Sequence, residues 1–515
     1  MVQRTAIQKS KRGVHFMKKT TAVSTLKAGF ENSFAALPKK FYETIMPEPV
    51  QNPVLQKYNL KLGRELGLNF TKDTEELTDC LAGNLVFADS TPIAMAYAGH
   101  QFGNFVPQLG DGRAILLGEK ITPDGKRLDV QLKGSGRTRF SRGGDGKSPL
   151  GPVIREYIVS EAMHRLGVPT TRALAIISTE EQILRPDGGH PGGIMTRVAS
   201  GFVRVGSFEY FAARGDETAI RDLADYVIGR HYPELPAKKD RYRQFFSSVA
   251  KKQARLVAKW MQLGFIHGVM NTDNTSISGE TIDYGPCAFM DYYDPNMVFS
   301  SIDTMGRYRY ANQGAIMKWN LHSLGICLKT LLGKTDEAAA DVIDATLSVF
   351  EDEFFHAQSV GLLKKIGIEN PGDQDSSLLE ELLALMQNQK ADFTLTFRYL
   401  ADHIRQGSDM TPQFQKLFKA PDAVAAWLES WQQRLVKENS PEAIQTQMNR
   451  VNPLFIPRNH RIHKAIEDAE ARDDFSQVHL LTTIYENPFT EQPDFTDYAQ
   501  APANEERVTR TFCGT

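Results

Sequence analysis

The sequence predicts an α+β protein in which a β-rich N-terminal lobe with one key helix precedes a helical C-terminal lobe and a C-terminal helical extension. Between about residues 90 and 210 the chain is rich in glycine and in short β-like runs such as RAILLGE and LDVQLKG. A single helical pattern, GPVIREYIVSEAMHRLG, interrupts these runs, and helical patterns dominate from about 216 to 350 and again from 375 to 480.

This order of elements is that of a two-lobed protein-kinase-like fold, and shifts in composition divide the chain accordingly. Residues 1–30 hold Lys and Arg but no Asp or Glu, which indicates either a disordered basic tail or a targeting segment. The other segments are an N-terminal piece packing on the lobes (31–90), which looks irregular over residues 31–80, the N-lobe (91–215), the C-lobe with a metal site (216–350), a helical extension (351–485) and a loosely ordered tail (486–515).

Composition argues against several functional classes. The 515 residues carry a formal net charge of -2, which disfavours a nucleic-acid coat or a binder of anionic membranes, and no apolar run approaches the ~20 residues of a membrane helix. The four cysteines form no CxxC pair, which favours a reducing, cytoplasmic location, or a mitochondrial one if the N-terminus is a transit peptide. No heptad seam calls for a partner, so we expect a monomer.

The single helix of the β-rich lobe carries two candidate glutamates. Its apolar residues recur at helical spacing, and Gly167 just after Leu166 is a typical helix stop. A kinase uses a glutamate on such a helix to hold a strand lysine over the nucleotide phosphates. With Lys133 as that lysine, Glu156 is the first candidate and Glu161 the alternative.

Lys133 ends a strand-like run, so its ammonium can project into a cleft. The loop that follows is rich in glycine and carries four cations, Arg137, Arg139, Arg142 and Lys147. Such a loop suits a polyphosphate, although a solvated surface loop can have the same composition.

A second glycine-rich turn lies upstream, in QLGDGRAILLGE. Gly110 and Gly112 flank Asp111, and glycines let backbone N–H groups approach a phosphate. Arg113 adds a cation at the turn. The same pattern also occurs in hairpins that bind nothing.

Two arginines, Arg197 and Arg204, sit in apolar surroundings in MTRVASGFVRVGSFEY. An unpaired buried Arg is costly, so both require anionic partners. Those partners are either structural carboxylates or a phosphate, which suits the planar fork of Arg.

The stretch FIHGVMNTDNTSISGETIDYGP resembles the catalytic loop of a kinase, but its His-Arg-Asp pattern is replaced by His267-Gly268-Val269. Val269 stands where the pattern His-Arg-Asp requires the catalytic Asp after His267. Asn274 and Asp283 remain at the positions of metal ligands, and Asp273 adds a neighbouring carboxylate. These hard oxygen ligands are of the kind that Mg²⁺ takes.

Together these stretches resemble the selenoprotein O family, also known as YdiU, from about residue 40 to the C-terminus. The matching strings include YAGHQFGNFVPQLGDGRA, LKGSGRTRFSRGGDGK, MTRVASGFVRVGSFEYFA, GFIHGVMNTDN and DYGPCAFMD. The family comprises kinase-fold proteins that act as protein adenylyltransferases. The resemblance therefore implies transfer of AMP from ATP, with UMP from UTP as a further possibility, to Ser, Thr or Tyr hydroxyls of protein substrates.

The resemblance also implies a role for each candidate residue. Asp273 matches the proton acceptor, Glu156 the ion-pair partner of the lysine, and Asn274 and Asp283 the ligands of Mg²⁺ or Mn²⁺. The positions that match nucleotide contacts are Gly110, Gly112, Arg113, Lys133, Asp145, Gly146, Arg197, Arg204 and Asp283.

The family often carries a selenocysteine or cysteine near its C-terminus, and here the tail TFCGT holds Cys513. This makes Cys513 a candidate redox thiol, with Cys287 as its candidate partner. The alternative is an exposed free thiol.

Two other functions compete with AMP transfer. A phosphotransferase would need Asp273 to replace the base missing at Val269. An inactive pseudokinase scaffold would bind nucleotide without turnover, but it would have no need of the metal ligands Asn274 and Asp283.

Overall fold

A computed structural model describes residues 21–68, 70, 74–235, 240–404 and 410–512. Its strands are β1 (Ala22–Val23), β2 (Phe30–Glu31), β3 (Tyr42–Thr44), β4 (Val54–Tyr58), β5 (Leu85–Val86), β6 (Ile93–Met95), β7 (Gly99–Gln101), β8 (Asn104–Val106), β9 (Ala114–Ile121), β10 (Arg127–Lys133), β11 (Ser148–Pro149), β12 (Arg172–Arg185), β13 (Gly188–Ala199), β14 (Phe265–Ile266) and β15 (Ala288–Phe289).

The helices of the same ranges lie mostly after the large sheet. They are α1 (Leu60–Glu65), α2 (Glu75–Ala82), α3 (Leu150–Arg165), α4 (Val205–Ala212), α5 (Glu217–His231), α6 (Arg241–Gln262), α7 (Gln313–Cys327), α8 (Lys329–Leu332), α9 (Asp336–Lys365), α10 (Asp375–Gln389), α11 (Phe393–His403), α12 (Pro412–Gln415), α13 (Asp422–Leu435), α14 (Pro441–Val451), α15 (Asn459–Arg472), α16 (Ser476–Ile484) and α17 (Thr496–Ala499).

This distribution confirms the α+β class, with a β-rich N-terminal region and a helical C-terminal part. None of the described helices combines the length and the apolar character needed to cross a bilayer.

One antiparallel sheet organises the N-terminal region. Its strands lie in the order β3-β6-β9-β10-β13-β12-β4, with β2 beside β9 and β11 beside β13. Successive residues of a strand point to opposite faces. On β13, Met195 therefore packs in the core that contains α3, whereas Ile194 packs in the core that contains α1 and α2.

Helix α3 lies between this sheet and the helical extension. It contacts β12 and β13 on one side and α15 and α16 on the other. Twelve of its sixteen residues are therefore buried, including the polar Arg155, Glu156 and Ser160, and none of the sixteen is exposed. Its backbone is anchored to the extension by Gly151, whose N–H donates to Glu470 at 2.8 Å.

The helical part is organised around α6, which packs against α7 and α9. A buried charge cluster joins the extension to this part. Arg458, fully buried before α15, lies 2.9 Å from Asp291 and 2.8 Å from Asp392. The two carboxylates neutralise a guanidinium that would otherwise be costly to bury.

Two segments are more regular than the sequence predicts. The piece from 31 to 80, expected to be irregular, supplies β3 and β4 to the large sheet and forms α1 and most of α2. The tail after residue 486, expected to be loose, is docked by Thr511, which bonds to Phe299 and Pro286 through its backbone and hydroxyl. Both segments gain their structure from long-range pairing, which local sequence patterns do not report.

Burial of α3 yields a stability prediction. Replacing the fully buried Ile154 by Ala should lower the free energy of unfolding by about 2–5 kcal/mol, because a cavity remains between sheet and extension. Arg165→Ala, at a half-buried position of the same helix, is the matched control and should cost less than about 1 kcal/mol. Urea denaturation measures both, and equal losses would contradict the packing described for α3.

Candidate active site

A cavity of about 870 Å³ lies between the sheet and the loop that follows α6. Twelve of the predicted site residues line it: Gly110, Gly112, Arg113, Lys133, Asp145, Gly146, Glu156, Arg197, Arg204, Asp273, Asn274 and Asp283. Of the four loop cations, Arg142 and Lys147 line the cavity, whereas Arg137 and Arg139 are exposed and are not among the lining residues. Residues that span more than 170 positions of sequence thus meet in one cleft.

Lys133 reaches this cleft from the end of β10. Its Nζ lies 2.6 Å from Glu156 Oε2 on α3. Glu161, the alternative glutamate, lies elsewhere and forms a two-bond pair with Arg172. The difference follows from helix geometry, since residues five apart on an α-helix point in different directions.

Asp283 is the centre of the charge arrangement. Its carboxylate lies 2.7 Å from Lys133, 2.7 Å from Arg197 and 3.1 Å from Arg204. Burial alone would raise the pKa of Asp283, but the three cations outweigh it and hold that pKa well below its usual value. The residue has a φ of 63°, a left-handed conformation that non-glycine residues rarely adopt outside functional or strained positions.

The two arginines are almost fully buried, at 1% and 2% exposure, and come from different elements. Arg197 lies on β13, where Gln131 of β10 is its cross-strand partner and accepts a bond from its Nε at 2.8 Å. Arg204 precedes α4 and stacks over the ring of Tyr97, 4.5 Å from the centroid. Both arginines also contact the Asp283 carboxylate, so their predicted anionic partner is a structural carboxylate.

Asp111 of the first glycine turn supports the same arrangement. It accepts bonds from the Met95 N–H at 3.0 Å and from Gln131 at 3.2 Å, and its Oδ1 lies 3.8 Å from Arg204. Burial raises its pKa although Arg204 opposes the shift. The glycines beside it permit the close packing of the Phe140 ring, which a side chain at Gly110 would overlap.

The second glycine-rich loop is held by its own contacts. Asp145 pairs with Arg185 at 2.8 Å and accepts from the Lys147 N–H at 3.0 Å. Gly146 has a φ of 69°, and a Cβ there would lie 2.1 Å from the carbonyl oxygen of Gly136. The two loop segments at Gly136 and Gly146 thus approach so closely that only glycine fits at residue 146.

The loop after α6 brings the remaining polar groups to the cleft. Val269, which stands where the kinase sequence pattern has its catalytic aspartate, lines the cavity. Asp273 is 8% exposed, and burial raises the pKa of its carboxyl to about 6, partly offset by Arg204. A carboxylate with such a pKa can accept a proton near neutral pH.

Asn274 and Asp283 are the candidate metal ligands. Asn274 Nδ2 donates to the Val269 carbonyl at 3.0 Å, which leaves the amide oxygen as the ligand atom. Over the described ranges, no group of three or more His, Cys, Asp or Glu side chains is arranged to hold a metal ion. An amide and one carboxylate nevertheless fit Mg²⁺, which takes its other oxygens from water and phosphates.

Sequence reasoning missed several residues that line or support the cleft, including Tyr97, Gln101 and Gln131. A signal existed for Gln131, because the two-residue period of a strand places it on the same face as Lys133. No local signal marks Gln101, whose position depends on a contact with residues about 170 positions away.

Cys513 is the candidate redox thiol and Cys287 its candidate partner. Cys513 lies outside the described residues, and Cys287 is buried at 1% exposure. The pairing of Cys287 with Cys513 therefore stays a prediction.

Fixed cations beside a glycine-lined turn and a carboxylate that can accept a proton are features that enzymes transferring phosphoryl or nucleotidyl groups use. Comparison with known proteins agrees with this class. The family model described as "Protein adenylyltransferase SelO" matches residues 24–485. The chain therefore belongs to the SelO family and is a nucleotidyltransferase.

Curated relatives extend this match to nearly the whole chain. The "Protein nucleotidyltransferase YdiU" of Rhizobium rhizogenes is 51% identical over 487 residues, which cover 94% of this chain and 97% of that protein. The proteins of the same name from a Bradyrhizobium species and from Maridesulfovibrio salexigens are 52% and 50% identical, with 94% of this chain and 99% and 98% of theirs covered.

The glycine turn can be tested by two alanine substitutions that differ in their surroundings. Both Gly110 and Gly125 have positive φ, so alanine costs about 1–2 kcal/mol of strain at either position. At Gly110 the new Cβ would lie 2.3 Å from Phe140 Cγ and should cost about 1–3 kcal/mol more, whereas nothing lies within 4 Å at Gly125. Urea unfolding of the two variants measures the difference, and equal stabilities would contradict the close packing.

Proposed function

We propose that this protein transfers AMP from ATP to Ser, Thr or Tyr hydroxyls of protein substrates, with Mg²⁺ or Mn²⁺ as the metal. The observation that carries the proposal is the convergence of Lys133, Arg197 and Arg204 at one carboxylate beside Asp273. Three fixed cations suit a triphosphate, since charge develops on the phosphate oxygens and on the leaving pyrophosphate. The SelO family membership supports the same reaction.

The proposal includes a kinase-like arrangement of lobes. A strand lysine paired with a helix glutamate is the feature that kinases use at the phosphates, and Lys133 and Glu156 make such a pair at 2.6 Å. We assign residues 91–215 to the N-lobe, 216–350 to the C-lobe and 351–485 to the extension. The strands between residues 30 and 58 join the sheet of the N-lobe.

In the proposed reaction the substrate hydroxyl attacks the α-phosphorus of ATP. A new oxygen–phosphorus bond forms, the bond to the oxygen that bridges the α- and β-phosphates breaks, and pyrophosphate leaves. Asp273 accepts the proton of the hydroxyl, a role that its raised pKa of about 6 permits. Arg197 and Arg204 neutralise the outer phosphates.

Asn274 and Asp283 would hold the metal. A bound divalent ion supplies positive charge to the phosphates. Lys133, Arg197 and Arg204, which contact Asp283, would bind phosphate oxygens of the nucleotide. In both cases, positively charged side chains contact negatively charged oxygens.

Labelled nucleotides distinguish this proposal from its alternatives. We expect label from the α-phosphate of ATP, and none from the γ-phosphate, to become bound to an acceptor protein such as β-casein or to the enzyme itself. Label from the γ-phosphate alone would indicate a phosphotransferase, and no label a nucleotide-binding scaffold. Labelled UTP in a parallel reaction measures UMP transfer.

A substitution at Asp283 tests the metal and charge assignment. Asp283→Asn keeps the side-chain volume but removes the charge, and we expect transfer to fall by about 100-fold or more. Asp124→Asn, at an exposed turn between β9 and β10, is the matched control and should keep full activity. The melting temperature of each variant separates loss of chemistry from loss of fold. Retained transfer in Asp283→Asn would refute the assignment.

A further inference from the structure

A short hairpin formed by β7 and β8 lies across the loop that carries Asp273. Its strands, Gly99–Gln101 and Asn104–Val106, pair only with each other and not with the large sheet. The hairpin contacts α4 and the 3-10 turn Thr272–Asn274. It is therefore placed to act on the site and not to extend the sheet.

Backbone hydrogen bonds hold the hairpin in register with that loop. The His100 N–H donates to Thr272 Oγ1 at 2.6 Å, and the Phe102 N–H donates to Asn271 Oδ1 at 3.1 Å. This register brings Gln101, the residue between these two donors, beside Asp273.

The buried Glu209 carboxylate contacts both the hairpin and the loop that carries Asp273. Glu209 of α4, with a side chain 3% exposed, contacts His100 Nδ1 at 2.7 Å through Oε1. Its Oε2 accepts the hydroxyl bond of Thr272 at 2.5 Å. Glu209 thus fixes the residue before Gln101 and the residue before Asp273 at the same time.

The Asp273 carboxylate is confined between two hairpin residues. Gln101 Nε2 lies 3.4 Å from Oδ2, a long hydrogen bond of the kind that tightens when substrate binds. Oδ1 is buried without a hydrogen-bond partner among the described residues. A Cβ on Gly99 would lie 2.7 Å from Oδ1, so the absence of a side chain at Gly99 makes room for this oxygen.

We infer that Gln101 is a positioning residue for the transfer reaction. Its amide orients the Asp273 carboxylate so that Oδ2 is presented to the cleft, while Gly99 and the Glu209 contacts fix the distance between hairpin and loop. Gln101 and Asp273 both line the cavity, so the pair is accessible to a substrate hydroxyl. The inference rests on the proposed role of Asp273 as proton acceptor.

A positioning role differs from a structural one in its dependence on Asp273. If Gln101 acts through that carboxylate, its removal should matter only while the carboxylate is present. A structural role would instead add the same loss whether or not Asp273 can accept a proton, and would lower the melting temperature or weaken ATP binding.

The experiment is a double-mutant cycle with Gln101→Ala, Asp273→Asn and the double variant. Transfer of label from α-labelled ATP to β-casein gives kcat and the KM for ATP. We expect Gln101→Ala to lower kcat by about tenfold or more, as for loss of a group that orients a catalytic residue, and to leave KM and melting temperature unchanged. In the Asp273→Asn background the same change should have no further effect.

Asn104→Ala is the matched control, because Asn104 is the backbone partner of Gln101 in the hairpin and its side chain is exposed. It should retain the wild-type kcat. Suppose that Asp273→Asn is slow and that adding Gln101→Ala lowers its kcat by the same factor as in the wild type. This result would overturn the inference about Gln101 but not the proposed function. Full activity of Asp273→Asn would overturn the proton-acceptor role and the inference together, and transfer of γ-label would overturn the proposed function itself.

Discussion

Lys133, Arg197 and Arg204 bring three positive charges within 3.1 Å of one carboxylate, that of Asp283. The three cations lie on β10, on β13 and just before α4, and Asp283 lies between β14 and β15. The cluster therefore joins the sheet to the helical part. Two of the cations are almost fully buried, and an uncompensated buried charge costs about 3–5 kcal/mol when its partner is removed. At the centre of these contacts, Asp283 has a left-handed backbone conformation with a φ of 63°.

The same cluster explains how a structural ion network can serve chemistry. A guanidinium can donate two parallel hydrogen bonds to two oxygens of a carboxylate, and it can do the same to two oxygens of a phosphate. Cations that are positioned by Asp283 and Glu156 need little rearrangement to meet a polyphosphate. Preorganised charge of this kind supplies most of the rate gain in phosphoryl and nucleotidyl transfer.

Elements outside the cleft hold its parts in place from both sides. Helix α3, which carries Glu156, is gripped by the extension through Glu470 at Gly151 and through Asn459 at Arg155. The β7–β8 hairpin holds the opposite wall. The extension thus contacts the helix that carries Glu156, and the hairpin contacts the turn that carries Asp273 and Asn274.

The sequence by itself determined the α+β class, the strand lysine, the glycine turns and the family, because each depends on local pattern or on a continuous motif. Lys133 and Gly110 could be predicted from their neighbours alone. Tertiary structure decided that Glu156 and not Glu161 meets Lys133, that Asp283 is shared by three cations, and that Gln101 lies beside Asp273. These contacts join residues from 23 to more than 170 positions apart, and their geometry follows from strand register and helix packing that no local window contains.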